Sequence, residues 1–428
     1  MKILFIITDM NIGGAQRLIA DMLPRLASAD DLEITLLQYD PIVNTPISAA
    51  ISRMPAIRRI SIGIPLSHAA AINPLVRMRA IRRLRAIMRR FDICHVNLFP
   101  ALYDAAIAAR GLKTRLVFTD HSTSNRRRRP IIRPLERLIH SRYDALTAVS
   151  PASARSLADW LRLSDPDRMI HVVDNGIVLS RFLPPRASDS ESAPLADDHS
   201  DLFDRYNAGI EGEMKLRMQR AGIKCQKDVF GRDGLPLLMV SRLVESKNHD
   251  ALVKAIRLLT TDERYTRRLR LYPPIFLALA GDGPKRDHIS ALARRLGVAD
   301  RVMLLGDRAD IPRLIAASAA GLQISRYEGY GLTAIEILAG RLPLIASDIP
   351  ALRYATRGGA RFIANDPQAI ADAIMTIIDP ASPDEFNETL LLSARGLDAA
   401  RRRDIRHTAD RYLQLYRQLL ADDIVRPV

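Results

Sequence analysis

Cysteine is nearly absent from this chain of 428 residues, which contains only Cys94 and Cys225. Neither belongs to a C-x-x-C or Cys/His cluster, so the sequence predicts neither a disulfide framework nor a zinc site. Uninterrupted apolar runs of about 20 residues, the length of a membrane span, are also missing. The apolar opening at residues 1–7 breaks at Thr8, too early for an export signal, and indicates a first β-strand. We therefore expect a cytoplasmic protein.

Aromatic residues are few, at 5%, and the 48 acidic residues are outnumbered by 63 Lys and Arg, which gives a formal net charge of +15. Arginines cluster at residues 77–90 and 126–129, followed by Arg133, Arg137 and Arg142. Apolar residues recur at helical spacing in the first cluster, which predicts an amphipathic helix with a basic outer face. This face is either solvated or attracted to an anionic membrane surface. The shortage of aromatic residues argues against a nucleic-acid partner.

The chain is longer than one hydrophobic core usually serves, so two domains are expected. Short apolar runs alternate with helical segments over residues 3–149 and again from residue 236, the pattern of βα units around a parallel sheet. The predicted strands lie at 3–7, 32–38, 93–97, 115–119, 145–149, 237–240, 275–280, 302–305 and 322–325. A polar stretch at residues 188–200 predicts partial disorder between the two sets. The fold class is therefore α/β with two Rossmann-like domains, divided as 1–182, a linker or insertion at 183–234, 235–398, and a terminal segment at 399–428 with a long helix over 399–421.

Two carboxylates flank a glycine-containing turn in the second half of the chain. Glu328 and Glu336 lie eight positions apart, between a short apolar strand and a helix. The free N–H groups of a helix start, beside flexible Gly329 and Gly331, favour an anionic ligand such as a diphosphate. A carboxylate at this place can accept the hydrogen bonds of sugar hydroxyls. The pattern suits a nucleotide-sugar site, although both glutamates are equally compatible with solvent-facing charges at an ordinary strand-to-helix junction.

Two other loops in the second half carry candidate phosphate-binding groups. Arg242 and Lys247 follow an apolar strand and could hold one diphosphate, Arg as a fork and Lys as a point charge. Solvated surface charge is the alternative. Gly281 and Gly283 end a further strand in a tight turn. Arg286 stands where a dinucleotide fingerprint requires its third glycine, which disfavours a nicotinamide site.

The first half has its own candidates at the ends of predicted strands. Gly13 and Gly14 lie in a turn that enters a helix, the position where open α/β sheets bind ligands, and they would let the backbone approach a phosphate. A simple turn is the alternative. His95 and His121 each follow a strand and could carry or position a proton near neutral pH. We expect a structural role for His95, whereas His121 lies in a polar loop and is the better functional candidate.

In this order the motifs resemble the retaining glycosyltransferases of GT-B architecture, of the family-4 type, also called glycosyl transferases group 1. The resemblance covers nearly the whole chain. It implies two Rossmann-like domains with parallel sheets that face each other across a cleft, and a C-terminal helix that crosses back to the first domain. The motifs that carry it are the Glu-x7-Glu pair Glu328 and Glu336, Gly13-Gly14, Thr119-Asp120-His121, Ala148-Val149-Ser150, Asn175-Gly176-Ile177, Arg242 with Lys247, and Gly281-Asp282-Gly283-Pro284.

The resemblance also implies roles for individual residues. Arg242 and Lys247 hold the donor diphosphate, and Glu336 binds the ribose. Glu328 contacts the donor sugar, and His121 matches a family histidine near that sugar. The expected catalytic residues are His121, Glu328, Arg242 and Lys247. The expected donor-binding residues are Gly13, Gly14, Arg242, Lys247, Gly281, Glu328, Gly329, Tyr330, Gly331, Leu332 and Glu336.

The implied activity is transfer of a sugar, with retention, from a nucleotide-diphosphate donor to a glycan or lipid-linked acceptor in bacterial cell-surface polysaccharide synthesis. The resemblance implies a hexosyltransferase that needs no metal and no cofactor. It is expected to be cytoplasmic, with the inner leaflet of the membrane as a possible peripheral site. A sugar-nucleotide epimerase of the same architecture and a non-catalytic nucleotide-sugar-binding protein are the alternatives. One departure concerns Ile324, which replaces a proline common in the family, so we expect local differences in donor packing.

Overall fold

The computed structural model describes residues 1–10, 13–42, 45–64, 73–122, 128–165, 169–183 and 199–421, apart from the side chains of residues 46 and 199–207. The chain divides into two compact units. The first unit comprises Met1–Ile177 and Arg403–Val428, and the second unit comprises Val178–Arg402. Each unit is built on its own parallel sheet, so the predicted pair of Rossmann-like domains is confirmed.

The first unit contains a seven-stranded parallel sheet in the order β3-β2-β1-β4-β5-β6-β7. Its strands are almost continuously apolar, as expected for a sheet that is covered on both faces. The strands are β1 Lys2–Ile7, β2 Glu33–Gln38, β3 Ile57–Ser61, β4 Ile93–Asn97, β5 Arg115–Asp120, β6 Ala145–Ala148 and β7 Ile170–Val172. The helices are α1 Gly14–Leu26, α2 Pro46–Ser52, α3 Pro74–Met88, α4 Ala101–Ala108, α5 Arg133–His140 and α6 Pro151–Leu161.

Alternate residues of these strands face different helices. Leu4 and Ile6 of β1 belong to one buried cluster with Leu84 and Met88 of α3 and with residues of α4, α5 and α6. Phe5, between them, contacts the ring of His95 with 5.0 Å between ring centroids. The two-residue period of a strand therefore separates two cores on opposite faces of the sheet.

The predicted basic helix at residues 77–90 is confirmed as α3. Its buried residues are Ala80, Leu84 and Met88. Several of its arginines are used internally, because Arg77 pairs with the buried carboxylate of Asp104 and Arg85 donates to backbone carbonyl groups. Only part of the basic face is therefore available to a partner. Within the described ranges, no helix is both long enough and apolar enough to cross a bilayer.

The second unit contains a six-stranded parallel sheet in the order β10-β9-β8-β11-β12-β13. Its strands are β8 Leu235–Val240, β9 Ile275–Ala280, β10 Val302–Gly306, β11 Ala320–Gln323, β12 Leu344–Ser347 and β13 Arg361–Ile363. Its helices are α7 His199–Arg220, α8 Lys227–Phe230, α9 His249–Thr261, α10 Glu263–Leu269, α11 Arg286–Arg295, α12 Ile311–Ala316, α13 Leu332–Ala339, α14 Pro350–Thr356, α15 Pro367–Ile378 and α16 Pro383–Arg401.

The segment predicted as a linker at 183–234 requires a correction. From residue 199 onward it forms α7 and α8, which are part of the second unit. Ile210, Met214 and Met218 recur at helical spacing along α7 and are buried. The buried Arg217 donates a hydrogen bond of 2.5 Å to the carbonyl of Ser318. These contacts attach the helix to the domain. The stretch predicted to be partly disordered, residues 188–200, lies outside the described residues except for its last two, which begin α7.

The single terminal helix predicted over 399–421 is wrong in its start. The helix α16 ends at Arg401, and a new helix, α17 Ile405–Leu420, follows a short break. Asp404 caps α17 by accepting the N–H of Arg406 at 2.9 Å. At this break the chain returns to the first unit, since the N–H of Ile405 donates to the carbonyl of Ile177 at 2.9 Å. The predicted return of the C-terminal helix to the first domain is confirmed.

Buried polar contacts fix α17 against the sheet of the first unit. His95 Nδ1 lies 2.6 Å from the hydroxyl of Tyr416, and its Nε2 lies 2.6 Å from Oγ1 of Thr119. The hydroxyl of Tyr412 lies 3.0 Å from the same Oγ1. Burial lowers the pKa of His95 to about 3, so this imidazole is neutral at pH 7. The structural role predicted for His95 is confirmed.

Candidate functional site

Most of the predicted donor-binding residues lie at one edge of the second unit. Arg242 and Lys247 follow β8, Gly281 follows β9, and Glu328 follows β11. Parallel strands place their carboxyl ends at the same edge of a sheet, where α/β proteins bind ligands. The topology therefore gathers groups that are separated by up to about 90 positions in the sequence.

Lys247 and Glu328 form an ion pair at this edge. Lys247 is the last residue of a 3₁₀ turn, Glu245–Lys247, and its Nζ contacts Oε1 of Glu328. The lysine and glutamate side chains are only 19% and 11% exposed. A pair so well shielded from water is screened little by salt and holds both groups in one arrangement. Two residues selected independently from the sequence are thus in direct contact.

The Glu328 carboxylate is held by two further donors. Its Oε1 accepts hydrogen bonds from Nε2 of Gln323 at 2.7 Å and from Oγ of Ser325 at 2.9 Å. Gln323 is the last residue of β11 and is buried, and its own Oε1 has no hydrogen-bond partner within the described part of the chain. The sequence prediction missed both residues. A polar side chain at the end of an otherwise apolar strand is the signal that could have identified Gln323.

Neighbouring strand ends fix the loop that carries Glu328. The N–H of Ser325 donates to Oγ of Ser347 at 2.8 Å, and Nδ2 of Asn365 donates to the carbonyl of Ser325 at 3.0 Å. The N–H of Arg326 donates to the carbonyl of Ser246 at 2.8 Å. Residues at or just after the ends of β8, β11, β12 and β13 are therefore joined into one hydrogen-bonded edge, which leaves the ion pair little freedom to move.

The loops after β8 and β9 approach each other so closely that two positions require glycine. Gly281 has φ of +131°, and a Cβ there would lie 2.1 Å from the carbonyl oxygen of Ser241. At Gly283 a Cβ would lie 2.6 Å from the carbonyl oxygen of Leu243. No larger residue fits either position without movement of the backbone. These glycines shape the edge of the site, and the donor-binding role of Gly281 remains a prediction.

The predicted glycine turn and helix after Glu328 are present. The helix α13 begins after Gly331, which has φ of +93° and whose added Cβ would lie 2.5 Å from a methyl group of Leu352. Tyr330, just before it, is buried. Glu336 is the fifth of the eight residues of the helix and is half-buried. The turn thus presents the start of a helix next to the ion pair, which is the arrangement expected for an anionic ligand.

Arg242 differs from Lys247 in its surroundings. Its side chain is exposed, and it forms no ion pair in the described ranges. The structure therefore does not bring Arg242 into the Lys247–Glu328 contact. That Arg242 and Lys247 together bind one diphosphate stays a prediction.

The first unit places its candidates at the carboxyl ends of β1, β4 and β5. Gly13 precedes α1 in an extended conformation, and the exposed Gly14 begins the helix. His121 follows β5, and its Nε2 lies 2.9 Å from Oδ1 of Asn97 at the end of β4. Burial lowers the pKa of His121 to about 4. This imidazole is therefore neutral at pH 7, so it suits a hydrogen-bonding role better than storage of a proton.

Both halves of the chain match models of known protein families. The family model for Glycosyltransferase Family 4 matches residues 12–181, and the model for Glycosyl transferases group 1 matches residues 226–389. The alpha-D-kanosaminyltransferase of Streptomyces kanamyceticus is 26% identical over 199 residues, which cover 45% of this chain and 48% of that protein. The D-inositol 3-phosphate glycosyltransferase of Thermomonospora curvata is 28% identical over 296 residues, 67% of this chain and 60% of that protein. The chain spans about half the length of the first curated relatives it matches.

Solved structures match over nearly the full chain. HepE of Anabaena, crystallised with UDP and glucose, has a TM-score of 0.70 at 19% identity and covers 98% of this chain and 100% of its own. The sucrose-phosphate synthase of Thermosynechococcus elongatus has a TM-score of 0.69 at 19% identity and covers 98% and 99%. At such low identity the likeness shows a shared fold.

Proposed function

Because this chain belongs to the glycosyltransferases of GT-B architecture, of the family-4 and group-1 type, we propose that it transfers a sugar from a nucleotide-diphosphate donor to a glycan or lipid-linked acceptor. The observation that carries the proposal is the shielded Lys247–Glu328 pair beside the start of α13. It combines a fixed cation for phosphate with a fixed carboxylate for sugar hydroxyls. The relative crystallised with UDP and glucose supports this class of donor.

Lys247 stabilises the charge that develops on the leaving group. Breaking the anomeric C–O bond leaves negative charge on the departing diphosphate, and fixed cations and helix N–H groups stabilise that charge in the transition state. Glu328 holds Lys247 in place before the donor arrives. The exposed Arg242 adds a second cation when it folds onto the diphosphate.

Glu328 and Glu336 position the donor rather than act as acid and base. Gln323 and Ser325 donate hydrogen bonds to Glu328 Oε1, so the carboxylate is held in one position. In this role it accepts hydrogen bonds from the sugar hydroxyls. Glu336 of α13 accepts those of the ribose, and the backbone of residues 329–332 lines the same donor.

The first unit binds the acceptor, with His121 and the Gly13-Gly14 turn as its substrate-contacting groups. The reaction proceeds with retention, and the leaving phosphate accepts the proton of the acceptor hydroxyl. No metal ion and no cofactor take part, since Lys247 and Arg242 provide the positive charge. The exposed arginines of α3 suit an acceptor at the cytoplasmic face of a bacterial membrane, in cell-surface polysaccharide synthesis.

Replacement of Lys247 tests the proposal. Lys247→Ala removes the fixed cation, and we expect transfer to fall by about 10²-fold to 10³-fold, the usual cost of losing one group that stabilises transition-state charge. Lys254→Ala is the matched control, because Lys254 is an exposed lysine on α9 of the same unit. A panel of nucleotide sugars, read by thermal shift and donor hydrolysis, first identifies the donor.

Three outcomes would contradict the proposal. Unchanged turnover in Lys247→Ala would show that Lys247 does not act in the site. Conversion of the nucleotide sugar into an epimer without any acceptor makes the protein an epimerase. Donor binding with neither transfer nor slow hydrolysis makes it a non-catalytic binder.

A further inference from the structure

An apolar stripe lies exposed on the first unit beside α5. Ile131, Leu135 and Leu138 are 86%, 49% and 55% exposed. They are spaced four and three residues apart along the 3₁₀ turn Pro130–Ile132 and α5, so they share one side of a helical segment. An amphipathic helix in a globular protein normally turns such a stripe toward the core. Here the stripe points to solvent.

Packing on the opposite side of α5 sets this orientation. Ile139 and His140 are buried, and the ring of His140 meets that of Phe118 edge-on with 5.5 Å between centroids. The guanidinium of Arg133 lies 4.8 Å from the centroid of the Trp160 ring. The helix cannot rotate its apolar stripe inward without giving up these contacts.

Positive charge accompanies the stripe. Arg129, Arg137 and Arg142 are exposed and form no ion pair in the part of the chain that the structure describes. Glu136 is the only acidic residue of α5, and it is buried, with the hydroxyl of Tyr103 donating to its carboxylate. We use the term α5 surface for Ile131, Leu135 and Leu138 together with these three arginines.

The α5 surface begins close to the candidate acceptor residue. Asp120 ends β5 and pairs with Arg128 at 2.8 Å, which ties the start of this segment to the strand end next to His121. Helix α3 also starts at the carboxyl edge of the sheet, because it follows a parallel strand. Leu75 and Met78, among its first five residues, are 68% and 44% exposed. Exposed apolar side chains therefore recur at the edge where the acceptor is expected.

We propose that the α5 surface inserts into the interface of an anionic lipid bilayer and so brings a lipid-linked acceptor to the first unit. The part that concerns the acceptor rests on the proposed function. Apolar side chains flanked by arginine, without exposed acidic groups, are the composition that binds such interfaces. A two-fold contact between copies of the chain would set Arg137 and Arg142 against an equally basic surface, which disfavours that occupant.

Vesicle flotation tests the α5 surface. We expect the wild-type chain to float with phosphatidylcholine vesicles that contain phosphatidylglycerol, and less with phosphatidylcholine alone or at high salt. Ile131→Ser with Leu135→Ser should weaken partitioning by about tenfold for each side chain withdrawn from the bilayer. Leu271→Ser is the matched control, because Leu271 is 85% exposed and lies in the second unit. Thermal unfolding checks that the variants remain folded.

The outcomes separate the surface from the proposed activity. Donor hydrolysis in solution should be the same in the double variant and the wild type, because the α5 surface shares no residue with the proposed donor site. A wild type that hydrolyses donor but ignores anionic vesicles would overturn the α5 surface and leave the function standing. Equal loss of vesicle binding in Leu271→Ser would also overturn it. A dimer that the wild type forms in sedimentation experiments, and that the double variant does not form, would overturn it as well. Vesicle binding without transfer or hydrolysis would leave the surface standing and reject the function.

Discussion

Gln323 provides a sharp test of how the second unit holds its carboxylate. It donates to Glu328 Oε1 at 2.7 Å while its own Oε1 is buried without a partner in the described residues. Gln323→Leu keeps a similar side-chain volume and removes both polar atoms. The substitution therefore separates the positioning of Glu328 from the folding of the domain.

The two effects on stability nearly cancel. Loss of a hydrogen bond to a charged group costs about 1.5–3 kcal/mol, whereas removal of an unpaired buried polar atom relieves about 1–3 kcal/mol. We therefore expect the free energy of unfolding to change by no more than about 1 kcal/mol. Glu328 keeps Lys247 and Ser325 but loses one of its donors. A displacement of about 1 Å at a reacting site can cost about 10²-fold in rate, so transfer should fall well beyond any change in stability.

Urea unfolding and steady-state transfer kinetics measure the two effects on the same samples. Gln418→Leu is the control, because Gln418 is an exposed glutamine on α17 of the first unit. Full transfer activity in Gln323→Leu would contradict this role of Gln323. A stability loss above about 3 kcal/mol would also contradict it, because the hydrogen bond would then outweigh the unpaired oxygen.

Three further predictions concern pH, backbone packing and metal. Burial lowers the pKa of His95 to about 3, whereas in the unfolded chain this imidazole binds a proton below about pH 6.5. The stability that this difference contributes is therefore fully present above about pH 6.5 and is lost as the pH falls toward 3. Unfolding free energies of His95→Gln should show a shallower decline than the wild type, by up to about 1.4 kcal/mol per pH unit, and parallel curves would contradict this. Gly281→Ala should cost at least about 3 kcal/mol in urea unfolding because its Cβ meets the backbone of Ser241, whereas Gly297→Ala, with its nearest neighbour at 3.8 Å, should cost only about 1–2 kcal/mol. Transfer should survive EDTA, and a loss that Mg²⁺ restores would show that the cations of the chain do not suffice.

The sequence predicted most of the apolar strands and missed four strands that are short or lie at a sheet edge. β4 and β9 were predicted with their observed bounds, because a strand buried on both faces is a continuous apolar run. β3, β7, β12 and β13 were missed. β3, β7 and β13 lie at sheet edges and are partly exposed, so their patterns are weak, and β12 has only four residues. Such a strand is defined by its pairing with a neighbour that is remote in sequence.

In the candidate site, too, some residues could be predicted from the sequence and others could not. Glu328 and Lys247 were predicted because charged residues in a glycine-rich or strand-end loop stand out in a sequence. Gln323, Ser347 and Asn365 were not, because their role arises only when three strand ends meet. Likewise, the neutral state of His121 depends on burial that no local pattern reveals.

The helix α17 makes the first unit depend on a segment that is synthesised after the second unit. Its tyrosines supply the buried hydroxyls that meet His95 and Thr119, yet the whole second unit is translated before them. During synthesis the second unit can therefore complete its core while the first still exposes one face of its sheet. The first unit can complete its core only after residues 405–420 have left the ribosome, so an interrupted chain would contain a finished second unit and an unfinished first unit.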